Sequence, residues 1–435
     1  MGELILAIFL LLGGIYIKHR AFIHASLEDP VFVVLAGVGL LLAGAVLFII
    51  LHYIEKLGDV INQRRLGINI SSQKIKFRFI KFDLKGCLDR FYKVPQNKER
   101  TFIGLNAEKG NKEVISIPDN QRSQHLQVLG ITGTGKTAGV FLPLIYQDAL
   151  KQRPVIILDA KGEMSSINQL NAILDSIGRS KDFMLFSLAH KEISCTYNPL
   201  FVGECDPQVV IDSFFNNFEG DNQFYRETSK TIFTNTFYVL NSLGKPFTPM
   251  DVYTYLTDDT CRMNINKQIT EDNEQGFLNL KILNITLSKL TAQYKGWQHV
   301  ITGFNNYLLD HGDDILNEDD SDIILTDVIR QRKIVYFQLP TNAYPIKAVS
   351  IARMIQANLR YISSLIQTGK MPKDILVSVI IDEYASFAEE SFVEVLNKAR
   401  SSGMMVTLVH QSLSDLSEIS ETFMSRIDEN TLNKI

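Results

Sequence analysis

At the start of the chain the apolar positions run together instead of alternating. Val31–Leu51 reads VFVVLAGVGLLLAGAVLFIIL without a charged side chain, and about 20 such residues carry one helix across the ~30 Å hydrocarbon layer of a bilayer. Leu4–Ile17 is apolar as well but reaches only roughly 21 Å as a helix, so Lys18 and Arg20 would snorkel to complete a crossing. The lack of basic residues ahead of it argues against the core of a cleaved signal. The pattern predicts two transmembrane helices within 1–55.

Downstream, short apolar blocks alternate with amphipathic ones. "QHLQVLG", "RPVIILDAKGEM" up to Asp159, "DFMLFSL", "KIVYFQLP" at Lys333–Pro340, "VSVIIDEYASF" at Val377–Phe387 and "MMVTLVHQS" up to Gln411 read as strands. Their unbroken apolar runs suit a parallel sheet covered on both faces. "TAGVFLPLIYQDAL", "AVSIARMIQANLRYISSLIQ" and "FVEVLNKARSSG" have the helical period, the last closing on Gly403. From Asp206 to about Asp310 only helices are predicted, among them "PQVVIDSFFNNF", "RETSKTIFTNTFYVLNSLG" and "LKILNITLSKLTAQY". The acidic stretch "DHGDDILNEDDSD" reads as a solvated loop, and Trp297 as packing. The organisation expected is a juxtamembrane stalk over 56–120, an α/β domain in two parts over 121–205 and 318–435, and an all-α domain over 206–317.

Composition narrows the classes. With 46% hydrophobic residues in 435, a large core is available and disorder is excluded. A net charge of -4 gives no global basic signal, so any contact with nucleic acid must be local. Cys87, Cys195, Cys205 and Cys261 form no CxxC pair, against a zinc site or a disulfide framework and in favour of reducing cytosol. Arg64, Arg65, Lys74, Lys76, Arg78, Lys81 and Lys85 follow the second apolar segment, which by the positive-inside rule puts the remainder in the cytosol. The same run could touch anionic lipid or DNA.

The candidate chemistry lies at two strand ends. Gly130–Thr137 fits GxxxxGK[ST] between a predicted strand and a predicted helix. In such a loop Gly130, Thr132, Gly133, Thr134 and Gly135 turn backbone N–H groups onto phosphate oxygens at a helix N-terminus. Lys136 would reach the β- and γ-phosphates and the Thr137 hydroxyl would hold Mg2+. ATP and Mg2+ are therefore the expected ligands. Asp382 would complete the magnesium shell and Glu383 would polarise the attacking water. Gln411, at the carboxyl edge of the sheet, suits a γ-phosphate sensor. Arg400 either favours its helix C-terminus or acts as an arginine finger in a neighbouring subunit. More than half of the chain separates Lys136 from Asp382, so something is inserted.

Several pieces in order carry a family likeness: the two apolar segments; "GKTAGVFLPLI", with Pro143 inside a predicted helix; "LDAKGE" at Leu158–Glu163; "YNPL" at Tyr197–Leu200; "IIDEYASF"; "HQS" ending at Ser412; and "ENTLNKI". The chain resembles the TraG/TraD group of type IV secretion coupling proteins, membrane-anchored ATPases that hand DNA or protein substrates to a conjugation or secretion channel. The resemblance implies a RecA-like P-loop ATPase core, an inserted all-α domain, an N-terminal transmembrane hairpin and a homo-hexamer around a channel in the bacterial inner membrane. It implies DNA, relaxase or secreted proteins, and channel components as partners, with Arg400 as a trans-acting finger and Gln411 as a sensor. It gives Pro143 a purpose, since a proline inside a helix costs ~3 kcal/mol unless the kink is wanted. Two departures stand out: Ala160 where the group usually has proline, and "NTLNKI", which starts a strand where the group's core continues, as in a truncated form. The competing functions are an ATP-regulated docking platform for secreted proteins, an FtsK-like DNA translocase, and the channel-assembly ATPase of the same systems.

Overall fold

The apolar blocks become neighbours in one sheet. In a computed structural model, the described residues are 84–106, 113–131, 133–201, 206–216, 223–269, 273–290 and 314–435. The predicted transmembrane hairpin, the basic run up to Lys81, Thr132 and Trp297 lie outside them. Among the described residues no helix is long and apolar enough to cross a membrane. The strands are β1 (Arg100–Leu105), β2 (Val114–Pro118), β3 (Leu126–Leu129), β4 (Val155–Asp159), β5 (Phe183–Ser187), β6 (Ile334–Gln338), β7 (Val377–Asp382), β8 (Met404–His410) and β9 (Asn433–Lys434). Seven of them form a sheet in the order β5-β6-β4-β7-β8-β3-β9, and every neighbouring pair is parallel.

Every residue of β4, β6, β7 and β8 is buried, as expected where helices cover both faces. The two-residue period of the strands sorts them between two cores. Ile156, Leu158, Val335, Phe337, Val379, Ile381, Val406 and Leu408 pack on one side with the helices Pro345–Gln367 and Val393–Ala399. Val155, Ile157, Ile334, Tyr336, Ile380 and Val409 pack on the other with Leu142–Leu150 and Met164–Asp175.

The helix after the glycine loop is not a single α-helix. Thr137–Phe141 is a π-helical turn, and the Leu142 N–H donates five residues back to the Thr137 carbonyl. Pro143 then stands in the first turn of Leu142–Leu150. Having no N–H, Pro143 leaves one bond of the ladder unmade at the junction of the two helix types. The kink predicted from Pro143 is thus a change of helix type.

Between β5 and β6 the chain runs through Pro207–Asn216, Gln223–Asn241, Pro249–Thr257, Asp259–Asn266 and Glu274–Leu290. Thr248 and Asp251 cap the third of these reciprocally. Ile211, Phe233, Phe237, Tyr255 and Leu283 belong to the same apolar cluster as Phe186 and Phe337 of the sheet. "YNPL" makes this joint. Tyr197 stacks edge-on against Phe337 and Phe186, with centroids 5.3 and 5.9 Å away, and its hydroxyl accepts from Asn358 Nδ2 at 3.1 Å. Asn198 Nδ2 donates to the Phe247 carbonyl at 2.8 Å. The acidic stretch is not wholly solvated: Ile315 and Leu316 are buried between its carboxylates, and the Ile315 carbonyl accepts from the Tyr197 N–H at 2.8 Å.

Within the expected stalk the structure has ordered elements that the apolar pattern was too short to announce. The helix Leu84–Tyr92 and the antiparallel pair β1–β2 lie against Leu142–Leu150, through Leu88, Phe91, Phe102 and Tyr146. The Gln147 amide completes the hairpin backbone, accepting from the Phe102 N–H at 2.7 Å and donating to its carbonyl at 3.1 Å. Beneath it lies an ion network. Arg122 makes two 2.6 Å bonds to Asp148, Arg153 bridges Asp148 and Asp119, Lys151 adds to Asp119 at 2.7 Å, and Ser378 of β7 donates to Asp148 at 2.7 Å. Burial alone would raise the Asp148 pKa, but Arg122 and Arg153 bring it down to about 2. Burial lowers the Lys151 ammonium to about 8 despite its carboxylate partner.

Candidate functional site

After β3 the chain turns sharply. Gly133 and Gly135 have φ of 82° and 86°, in the left-handed region that side chains disfavour, and the space a Cβ would fill is open at both. Gly130 is required for closeness instead: a Cβ there would stand 2.9 Å from Thr134 Oγ1 and 3.2 Å from Lys136 Cγ. Thr134 Oγ1 donates to the Ile131 carbonyl at 2.8 Å, and the Lys136 ammonium folds back to donate to the Gly130 carbonyl. Gly133, Thr134 and Gly135 are exposed, with Lys136 and Thr137 half-buried behind them. An open loop of amides, a lysine and a hydroxyl at a helix start fits a polyphosphate.

β8 lies between β3 and β7, so the ends of the loop strand and the acid strand are roughly 10 Å apart. Asp382 closes β7 and is buried. Glu383 follows with φ 50° and ψ 47°, left-handed backbone that costs a non-glycine residue roughly 1–2 kcal/mol. Such strain gathers at working sites. Glu383 Oε2 accepts from Gln411 Nε2 at 3.4 Å, so two of the residues singled out from the sequence meet across neighbouring strand ends. Beside Gln411, His410 Nδ1 stands 2.7 Å from the Ser412 carbonyl and its Nε2 stands 3.0 Å from Gln127 Nε2. A carbonyl only accepts, so Nδ1 carries the proton and Nε2 accepts from the amide. Burial lowers the His410 pKa, and the Lys136 charge acts in the same direction while Glu383 opposes it.

On the other flank of β7, Asp159 of β4 pairs in register with Asp382. Burial pushes Asp159 up to about 7, the Asp382 charge adds to this, and the Tyr336 hydroxyl donating to it opposes. Asp382 is also raised, by burial against the pull of Lys161. Lys161 Nζ lies 3.2 Å from Asp382 Oδ2 and 3.0 Å from Glu383 Oε1. Burial works against its charge, but the two carboxylates outweigh burial and hold it above the ordinary lysine value. Asp159, Lys161 and His410 lie in the stretches "LDAKGE" and "HQS" but were given no role from the sequence, and Tyr336 was not marked as a site residue at all. The available signal was that Asp159 and His410 end apolar strands of a parallel sheet and Lys161 lies two residues past one; Tyr336, inside β6, gave none.

Arg400 opens the short turn Arg400–Ser402 ahead of β8, roughly 20 Å along that strand from Gln411. Within one chain it is therefore at the opposite edge of the sheet from Lys136, Glu383 and Gln411. Its side chain and Thr132 lie outside the described residues.

A parallel sheet with helices on both faces, a glycine loop after β3 and an acid pair after β7 define an α/β protein of the phosphate-loop fold. The chain belongs to the family described as Type IV secretory system Conjugative DNA transfer, whose sequence profile matches residues 92–432. No curated protein sequence matches the chain. Among solved structures, the bacterial conjugative coupling protein TrwBdeltaN70, in its unbound monoclinic form, is 16% identical over 73% of this chain and 69% of its own, with a TM-score of 0.50. The plasmid coupling protein TrwB in complex with the non-hydrolysable ATP analogue ADPNP is 16% identical over 77% of this chain and 78% of its own, also with a TM-score of 0.50. VirB4 of Thermoanaerobacter pseudethanolicus is 13% identical over 77% of this chain and 83% of its own, with a TM-score of 0.47. At these identities the TrwB likeness is one of fold.

Proposed function

We propose that this chain is a coupling ATPase, which binds ATP with Mg2+ and uses hydrolysis to deliver DNA, or a DNA–relaxase complex, to a type IV secretion channel. The observation that carries the reading is the arrangement at the carboxyl edge of the sheet. An open glycine loop with Lys136 stands two strands from Asp382 and Glu383, and Gln411 from the strand between them touches Glu383. Family membership supports conjugative DNA transfer as the setting, and TrwB binding ADPNP supports ATP as the ligand.

In this mechanism the loop amides of Gly130, Thr132, Gly133, Thr134 and Gly135 hold the phosphates, and Lys136 leaves the Gly130 carbonyl to meet the β- and γ-oxygens. Thr137 and Asp382 are the residues that would hold magnesium, which supplies positive charge to the phosphate oxygens. Glu383 orients a water and takes its proton as the water attacks phosphorus, and Gln411 reports the γ-phosphate. Arg400 acts on the ATP of the neighbouring subunit in a homo-hexamer. Leu4–Ile17 and Val31–Leu51 anchor the assembly in the bacterial inner membrane, with the main body cytoplasmic and channel components as further partners.

The test is the ATPase rate of the purified full chain, with and without single- and double-stranded DNA. Strong stimulation is expected, falling steeply with salt because the grip is on phosphates. An unstimulated rate together with tight binding of a secreted protein would favour the docking platform instead.

A further inference from the structure

The Lys161 ammonium sits where a second positive charge would have to enter. It contacts both acids at once, Asp382 at 3.2 Å and Glu383 at 3.0 Å, from the β4 side of β7, opposite to the glycine loop on the β8 and β3 side. Its backbone is fixed. The Lys161 N–H donates to Asp159 Oδ1 at 2.9 Å, the Ala160 carbonyl accepts from the Thr341 N–H at 3.2 Å, and a Cβ on Gly162 would come within 3.3 Å of Pro340. Its side chain is not fixed in the same way, being 33% exposed while Asp382 is 5% exposed. A tethered, solvent-reached cation on a buried carboxylate can leave without any backbone movement.

We infer that Lys161 is a positioning residue that occupies the acid pair in the nucleotide-free protein and competes with Mg2+ for Asp382, so that it sets how much metal the site needs. The inference rests on the nucleotide-site reading given above. Two cations at one carboxylate repel, so Mg2+ held by Thr137 and Asp382 would weaken the hold of Asp382 on the Lys161 ammonium and favour its release. Release would also free Glu383 Oε1, leaving Gln411 as the partner of that carboxylate among the described residues and opening it to water. In this way arrival of the metal and freeing of the base would be coupled.

The experiment is calorimetric titration of ADP into the purified full chain at a series of Mg2+ concentrations, read as the Mg2+ midpoint for tight ADP binding. Lys161→Met is expected to lower that midpoint about tenfold, to leave metal-free ADP binding unchanged, and to lose the effect when the charge is restored as Lys161→Arg. Lys161→Gln, which keeps a hydrogen-bond donor without the charge, should give the same shift if the methionine variant folds poorly. An unchanged or raised midpoint in folded variants overturns the role of Lys161 while leaving the nucleotide site in place. If the parent chain binds no ADP, or Lys136→Ala binds it equally well, the site reading itself fails.

Discussion

In the proposed mechanism Lys136 and Glu383 do different work, and single substitutions should separate it. Lys136→Ala is expected to lower turnover by about 10²-fold or more, by removing a donor aimed at developing charge, and to weaken ADP binding. Glu383→Gln should lower turnover by about 10²–10⁴-fold, the usual contribution of a positioned base, with ADP binding retained. Steady-state rates and calorimetry on both variants check this, and equal loss of binding in the two would merge the roles. Asp148 offers a test of stability. Its folded pKa of about 2 lies below the ordinary 3.8, so its contribution is present above about pH 4 and is lost as pH falls toward 2. Asp148→Asn should destabilise the protein by about 3 kcal/mol at neutral pH, since Arg122 is left buried without its counter-charge. Thermal melts between pH 2 and 7 should show less loss over pH 4 to 2 in the variant.

The glycine loop and the π-turn form one continuous element, and the backbone sets what each glycine tolerates. Gly135 has positive φ and Gly139 does not, although neither has a neighbour within 4 Å of a Cβ. Gly135→Ala should therefore cost roughly 1 kcal/mol or more and weaken nucleotide binding, whereas Gly139→Ala should be neutral or stabilising by about 0.4–1 kcal/mol. Paired thermal shifts, each measured with and without ADP, decide it; a costly Gly139→Ala would mean that the π-turn needs glycine for another reason. The loop was legible in the sequence because glycine spacing and the lysine lie within eight residues. The π-turn was not, because a five-residue turn is too short for the apolar pattern of "TAGVFLPLI" to tell one helical period from the other.

For the whole molecule, the finger role proposed for Arg400 depends on other copies of the chain. Its turn lies at the sheet edge away from Glu383, so a finger can act only between subunits. Arg400→Ala mixed with parent chain should depress the ATPase rate below the weighted mean of the two proteins, because each variant subunit also silences a neighbour, by up to about 10³-fold for the affected site. Strictly additive rates across a mixing series would assign Arg400 to its helix end instead. The ion network of Arg122, Asp148, Arg153 and Asp119 works at the same scale, joining β7 to the helix Leu142–Leu150 and to the β1–β2 hairpin.

The sequence by itself determined the strands of the parallel sheet, most of the longer helices and the two candidate chemical ends, but not β1, β2 or the helix Leu84–Tyr92. Those signals are local: a run of apolar residues, a helical period, a glycine loop with its lysine, and acids that terminate a strand. Only the tertiary structure decided that β8 lies between β3 and β7, that Lys161 faces Asp382 across 221 residues, and that "YNPL" fastens the helical insertion to the sheet. Strand order and ion pairing are set by which surfaces bury one another across long separations, and neither period nor composition records those partners.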